Sequence, residues 1–137
     1  MMDAKTWLMR GWKLNREIDR LMEVRDITYA RLTSVTASLD GDVVQSTKDP
    51  HKMDRLMECE SALDETIDMY ADTVAEITRA IRSLPDPRHR ALLEDRYLLY
   101  KSWELIAVEE HYNIRHVWRL HKEALQAISN IVAVECQ

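Results

Sequence analysis

Residues 102–124, SWELIAVEEHYNIRHVWRLHKEA, predict two short helices separated by a tight turn. Ser102 suits the N-cap of the first helix and Asn113 that of the second, because their side chains accept hydrogen bonds from first-turn amides. Apolar residues then recur at three- and four-residue spacing, which predicts one buried face on the second helix. Its members are Val117, Leu120 and Ala124. Leu105, Ile106 and Ala107 form an apolar patch on the first helix.

The turn between the two helices must place one residue in a left-handed backbone conformation. Glycine is usual at this point of a helix-turn-helix, and His111 stands there instead. Histidine is among the residues other than glycine that tolerate this conformation. We therefore predict that His111 occupies the turn.

The second helix carries positive charge on the face turned away from its apolar residues. No acidic residue lies between Asn113 and Lys122, although the whole chain has a formal net charge of −5. The strip consists of Arg115, His116, Arg119 and Lys122. Such an acidic chain is not expected to coat nucleic acid by bulk charge, so any binding must be local.

The composition of the 137 residues favours an all-α protein. Two Gly, three Pro and no Phe leave little to interrupt helices. Cys59 and Cys136 are too few for a disulfide framework, and no Cys/His cluster indicates a metal site. The chain shows neither a signal peptide nor the roughly 20 apolar residues that a membrane span requires. We expect a cytoplasmic protein with reduced thiols and no membrane association.

Two heptad patterns precede this region and predict long helices. The first helix should run from about Asp3 to Ser38, a loop should span 39–50, and residues 1–83 should form a long antiparallel helical hairpin, a coiled coil. Its predicted seam residues are Trp7, Gly11, Leu14, Ile18, Leu21, Arg25, Thr28, Leu32, Val35 and Leu39. Those of the second helix are Met53, Leu56, Glu60, Leu63, Ile67, Tyr70, Val74, Ile77, Ile81 and Leu84.

The hairpin register leaves two interpretations of Glu60. Facing positions should sum to about 89, within about one helical turn of four residues. Glu60 then lies either opposite Thr28 or Arg25, or at the seam edge with its carboxylate in water.

Residues 84–137 are predicted to form a three-helix domain. Asp86 is a suitable N-cap and Pro87 a suitable first residue for a helix that ends near Leu99. The last helix continues past Ala124 with surplus apolar residues that dock either on the hairpin or on another subunit, and Val134–Gln137 should fray. The surplus residues are Leu125, Ile128, Ile131 and Val132.

This order of elements resembles region 4 of bacterial sigma factors, and especially small prophage proteins similar to the RinA- and ArpU-type phage transcriptional regulators. The residues that carry the resemblance are Leu84-Pro85, Arg90, Leu92-Leu93, Arg96-Tyr97, Ser102-Trp103-Glu104, Ile106-Ala107, Arg115, Val117, Arg119-Leu120 and Ala124-Leu125. The resemblance implies a sigma region 4-like helix-turn-helix that binds promoter DNA. It places Arg115, His116 and Arg119 in the major groove. The family usually has glycine at the positions of Tyr100 and His111.

The predicted DNA interface follows from this assignment. Arginine forks suit guanine O6 and N7, whereas Lys122 and the amides of a helix N-terminus suit phosphates. We predict a recognition helix over about 114–127, with Trp118 and Trp103 favoured as packing residues. The predicted DNA-binding residues are Ser102, Asn113, Arg115, His116, Arg119 and Lys122.

No catalytic constellation, cofactor motif or small-molecule site is evident, so we predict no enzyme. Specific DNA binding often neutralises roughly 6 to 10 phosphates, and one recognition helix supplies about three cations. Either the hairpin forms a homodimer, or RNA polymerase holds the domain at double-stranded promoter DNA. The alternative function is a helical adaptor that binds RNA polymerase or another phage or host regulator without reading DNA.

Overall fold

The computed structural model describes residues 2–38 and 50–135, and the side chains of 2–33 and 51–132. Over this part of the chain the protein is helical and contains no strand, which confirms the all-α prediction. The helices are α1 (Ala4–Ser38), α2 (Pro50–Arg82), α3 (Pro87–Leu93), α4 (Trp103–Glu110) and α5 (Ile114–Glu135). A π-helical turn, Glu94–Leu98, continues α3.

Two predicted irregular segments fall largely outside the described residues. Of the predicted loop at 39–50, only Pro50 is described, and it is the first residue of α2. Helix α5 continues to Glu135, whereas the sequence predicted fraying from Val134. Residues 136 and 137 are not described.

The chain divides into two compact units. One unit is Leu14–Met69, and the other combines Met1–Lys13 with Tyr70–Gln137. The sequence placed its boundary between residues 83 and 84. The contacts group the first turns of α1 and the last turns of α2 with the C-terminal helices, and the division into domains at residues 83 and 84 stays a prediction.

The unit Leu14–Met69 buries few side chains. Among its described residues only Ile18, Leu63 and Thr66 are buried. The seam predicted for α1 is confirmed within this unit, because each of its described positions is less exposed than its charged neighbours. Those positions are Leu14, Ile18, Leu21, Arg25, Thr28 and Leu32.

The seam predicted for α2 is wrong at three of its ten positions, Met53, Glu60 and Ile67, which are exposed. Leu56 and Leu63 are sheltered as expected, but Met53 is 59% exposed and Ile67 41% exposed. Thr66 lies on the sheltered side in place of Ile67, and Cys59 lies there in place of Glu60. Thr66 tolerates burial because its hydroxyl donates to the Ala62 carbonyl at 2.8 Å. Cysteine behaves as a small hydrophobic residue.

Glu60 follows the second of its two interpretations. Its side chain is exposed, so its carboxylate remains in water and does not occupy the seam. The Arg25 guanidinium instead bonds to Asp26 at 3.2 Å. Glu60 and Arg25 therefore form no buried charge pair that would set the register between the described parts of α1 and α2.

The larger core lies in the unit that contains the C-terminal helices. It joins the first turns of α1 and the last turns of α2 to α5, so the surplus apolar surface of α5 docks on these turns of its own chain. Its buried residues are Ala4, Trp7, Leu8, Ile77, Ala80, Ile81, Leu84, Leu93, Tyr97, Ala124, Ile128 and Val132. The sequence left open whether these apolar residues dock on the predicted hairpin or on another subunit. Among the described residues, they pack against α1 and α2.

A second, smaller cluster positions the predicted recognition helix. Leu92 of α3, Ile106 of α4, and Val117 and Leu120 of α5 are all buried together. Trp103 packs against this cluster, as predicted, and the Arg96 guanidinium lies 4.5 Å from its ring centroid. Two helices, α3 and α4, therefore orient the start of α5.

Candidate nucleic-acid interface

Both N-caps of the predicted helix-turn-helix are formed. The Ser102 hydroxyl accepts a hydrogen bond from the Leu105 amide at 3.2 Å. The Asn113 side-chain oxygen accepts one from the His116 amide at 2.7 Å. Both side-chain oxygens are thus engaged at the helix starts, and each satisfies an amide that the helix itself leaves unpaired.

His111 adopts the left-handed conformation predicted for the turn. Its φ and ψ are 59° and 38°, and its amide donates to the carbonyl oxygens of Ala107 and Val108. The Tyr112 amide donates to the Ala107 carbonyl at 2.9 Å. These bonds satisfy the last carbonyls of α4 and set the direction in which α5 starts.

Tyr100 is the second non-glycine residue with positive φ, at 60°. Its hydroxyl lies 2.9 Å from the Tyr70 hydroxyl on α2. Gly11 of α1 leaves room for it, since a Cβ there would stand 3.4 Å from the Tyr100 oxygen. Burial and the bond to Tyr70 raise the pKa of Tyr100. A tertiary contact therefore holds this turn.

The outward face of α5 carries the predicted basic residues. Arg115, Arg119 and Lys122 are exposed, and His116 is half-buried. The Arg119 guanidinium donates to His116 Nδ1 at 2.8 Å, because a guanidinium has no acceptor. Tyr112 packs edge-on against the His116 ring, with 4.6 Å between centroids. The His116 ring therefore contacts Tyr112 on one side and accepts a hydrogen bond from Arg119 on the other.

A shallow cleft brings four of the predicted residues together at the start of α5. It is lined by Asn113, Arg115, His116 and Arg119. Ser102 belongs to the N-terminus of α4, and Lys122 lies one to two turns further along α5. The predicted set is thus divided between a cluster of four and two flanking positions.

Three basic residues close to the helix-turn-helix segment are already engaged. Arg88 pairs with Asp86 at 3.1 Å, and Lys101 pairs with Glu109 at 2.7 Å. The Arg90 guanidinium donates to the Leu84 carbonyl at 2.6 Å.

The basic residues of α5 differ from these. Over the described part of the chain, Arg115 and Lys122 make no ion pair or hydrogen bond, and Arg119 bonds only to His116. The positive charge on α5 is therefore not neutralised by the protein's own carboxylates.

His121 is turned toward the interior of the same helix. Its Nε2 lies 2.7 Å from the Tyr97 hydroxyl, and its ring contacts Trp103 with 4.5 Å between centroids. Burial, with smaller contributions from the charges of Lys5 and Arg96, lowers the pKa of His121 to about 4. The ring is neutral near pH 7. Sequence analysis assigned it no role, although its spacing of four from Val117 places it near the buried face.

The packing role predicted for Trp118 is wrong. Its side chain is 54% exposed. The adjacent Val117 belongs to the buried face, and one residue further turns the side chain by about 100°. The apolar patch predicted on α4 is also only partly buried, since Ile106 is buried whereas Leu105 is 44% exposed.

Two other classes of site were sought over the described residues. No helix there carries an apolar stretch that would span a bilayer. No group of three or more His, Cys, Asp or Glu residues there lies close enough to hold a metal ion. Comparisons of the chain with protein-family models, curated proteins and solved structures found no match. The resemblance to sigma region 4 thus rests on the residues of the chain itself.

Proposed function

We propose that this protein is a phage or prophage transcriptional regulator that binds double-stranded promoter DNA through α5. In this proposal an antiparallel helical hairpin, a coiled coil, precedes a three-helix domain similar to sigma region 4, with the recognition helix over about 114–127. The observation that supports it best is the positive charge on the outward face of α5. Arginine and lysine side chains without an internal acidic partner, on a helix anchored by two apolar clusters, suit a polyanion.

Each predicted residue has a distinct role in this proposal. Arg115 and Arg119 offer bidentate forks to guanine, and His116 holds the Arg119 fork in place. Lys122 binds a phosphate as a point charge. The side chains of Ser102 and Asn113 already cap their helices, so these residues act by presenting helix N-termini to phosphates. The proposed activity requires no cofactor, metal ion or small-molecule substrate, is not enzymatic, and belongs in the cytoplasm.

A single copy supplies few phosphate contacts, so the proposal includes an assembly step. Homodimerisation through the hairpin is supported by the unit Leu14–Met69, which leaves large apolar side chains exposed. They include Met22, Tyr29, Met53 and Ile67. Small units with few buried residues commonly gain stability by oligomerisation. RNA polymerase remains the other partner that would hold the domain on a promoter.

DNA binding is tested by fluorescence anisotropy on duplexes taken from upstream of the protein's own gene and its neighbours. The double variant Arg115→Ala/Arg119→Ala should weaken binding at least tenfold, because each fork contributes about 1 to 3 kcal/mol. It should also relax the sequence preference at the guanine positions that the two forks contact. Circular dichroism should show unchanged helicity.

The matched control is Arg20→Ala/Arg31→Ala, which removes the same charge from exposed positions of α1. This control should bind as the wild type does. Equal losses in the two double variants would mean that net charge alone drives binding. No binding by the intact protein at low salt would refute the proposal.

The second candidate function is a helical adaptor that binds RNA polymerase or another phage or host regulator. Exposed apolar residues around α4 favour it: Leu99 is 60% exposed and Val108 is 72% exposed. In that case Val108→Glu should abolish capture of the partner while DNA affinity stays at the level of non-specific binding. The DNA-binding proposal instead predicts that the protein binds DNA more tightly than non-specifically and that Val108→Glu does not abolish its function.

A further inference from the structure

Trp118 is an exposed indole on the proposed recognition helix. Its side chain is 54% exposed, although tryptophan is usually among the more buried residues. It stands three residues after Arg115 and four before Lys122, with no acid before Glu123. A large exposed apolar side chain beside cations suits a partner that is both anionic and locally apolar.

Helical geometry gives its place relative to the basic residues. At about 100° per residue, Lys122 lies within about 20° of Arg115 around the helix axis. Trp118 lies about 60° to one side of Arg115, and Arg119 about 40° to the other. The hydrogen bond from Arg119 to His116 keeps that guanidinium on its own side, 2.8 Å from the ring nitrogen. The two edges of the strip are therefore chemically different, one cationic and one apolar.

The axial distances match a short run of base pairs. Arg115 and Lys122 are separated by about 10 Å along the helix, which corresponds to about three base pairs. Trp118 lies between them along the axis. In the major groove, the apolar feature of a base edge is the C5-methyl group of thymine. Duplex DNA thus supplies both the negative charge and the apolar contact that this strip requires.

We propose that Trp118 is a specificity-determining residue that contacts the C5-methyl group of a thymine adjacent to the base pairs that Arg115 and Arg119 contact. The inference rests on the proposed function and deepens it, because it predicts a thymine requirement on one side of the arginine contacts. A protein partner would instead need an acidic surface with an apolar pocket.

The test begins with selection from a random-sequence duplex library, so it needs no known operator. Wild type, Trp118→Gln and Trp12→Gln are selected in parallel. Trp12 is the matched control because it is 39% exposed but lies on α1. The wild type and Trp12→Gln should enrich the same site, with a thymine adjacent to the guanine contacts. Trp118→Gln should enrich a site that has lost only this thymine.

Each thymine of the selected site is then replaced by uracil, which removes only the methyl group. Wild-type affinity should fall about fourfold at one position, the factor that corresponds to about 0.8 kcal/mol for one buried methyl. Trp118→Gln should show no loss there. Trp118→Leu, which retains an apolar side chain, should keep part of the preference for thymine over uracil. It also shows whether the loss in Trp118→Gln comes from a folding defect.

The outcomes test the Trp118 inference separately from the proposed DNA-binding function. If the wild type enriches a site but Trp118→Gln selects the same thymine, or uracil has no effect at any position, the inference is overturned while DNA binding stands. If the wild type enriches no sequence, the proposed function fails and the inference fails with it.

Discussion

The two left-handed residues, His111 and Tyr100, should respond oppositely to replacement by glycine. Their φ angles, 59° and 60°, are nearly the same. A left-handed conformation costs an L-residue about 1 to 2 kcal/mol, and glycine removes this cost but loses about 0.4 to 1 kcal/mol of unfolded-chain entropy. The exposed His111 side chain makes no hydrogen bond or ion pair within the described residues. His111→Gly should therefore stabilise the protein by about 0.5 to 1 kcal/mol.

Tyr100→Gly gains the same backbone relief but loses a tertiary contact. The hydroxyl bond to Tyr70, 2.9 Å long, contributes about 1 kcal/mol net. The half-buried ring contributes about 2 kcal/mol more. The net expectation is a destabilisation of about 2 kcal/mol. Tyr100→Phe, which removes only the hydroxyl, should cost about 1 kcal/mol.

Urea unfolding followed by far-ultraviolet circular dichroism at neutral pH measures these differences. The wild type and the variants should have the same slope against urea, so that midpoint changes report stability. The reasoning would be refuted if His111→Gly destabilised the protein, or if Tyr100→Gly were as stable as the wild type. Either result would mean that side-chain contacts do not determine how replacement by glycine changes the free energy of unfolding at these two turns.

Three further changes have defined outcomes. Asn113→Ala should cost about 1 kcal/mol in urea unfolding through loss of its cap, whereas Asn113→Asp should not. His121 has a folded pKa of about 4, below its ordinary value of 6.5, so the unfolded chain binds its proton first and stability falls from about pH 6.5 toward 4. His121→Gln should reduce that loss by about 2 kcal/mol after allowance for solvent screening, measured as the difference between the two pH–stability curves. Gly11→Leu should lower the melting temperature by the equivalent of about 1 to 3 kcal/mol, because a Cβ there already stands 3.4 Å from Tyr100 and 3.6 Å from Ile77; Gly11→Ala should be tolerated.

Local chemistry made part of the interface predictable from sequence. Ser102 and Asn113 cap helices because of their own short side chains, and His111 occupies a turn whose backbone requirement is local. The buried face of α5 follows from the spacing of Val117, Leu120 and Ala124. These features depend on residues only a few positions apart.

The missed features depend on elements far apart in sequence. The α2 seam includes Cys59 where spacing predicted Glu60, because the direction of the neighbouring helix selects between adjacent stripes. Spacing alone did not show that Trp118 lies outside the buried face. Nothing near Tyr100 in sequence indicates its contact with Tyr70. DNA recognition and the sigma-like family remain predictions that await the binding assays.

The hydroxyl contact between Tyr70 and Tyr100 makes the residue types at positions 11, 70 and 100 depend on one another. The contact of Tyr100 with Tyr70 requires a hydroxyl at residue 70 and a side chain no larger than that of alanine at residue 11. Relatives with glycine at 100 would be released from both requirements, so larger residues at 11 and non-tyrosine residues at 70 should occur together in them. The three positions should therefore vary as a set among homologues, and the side chain at 11 should indicate which turn a given relative has.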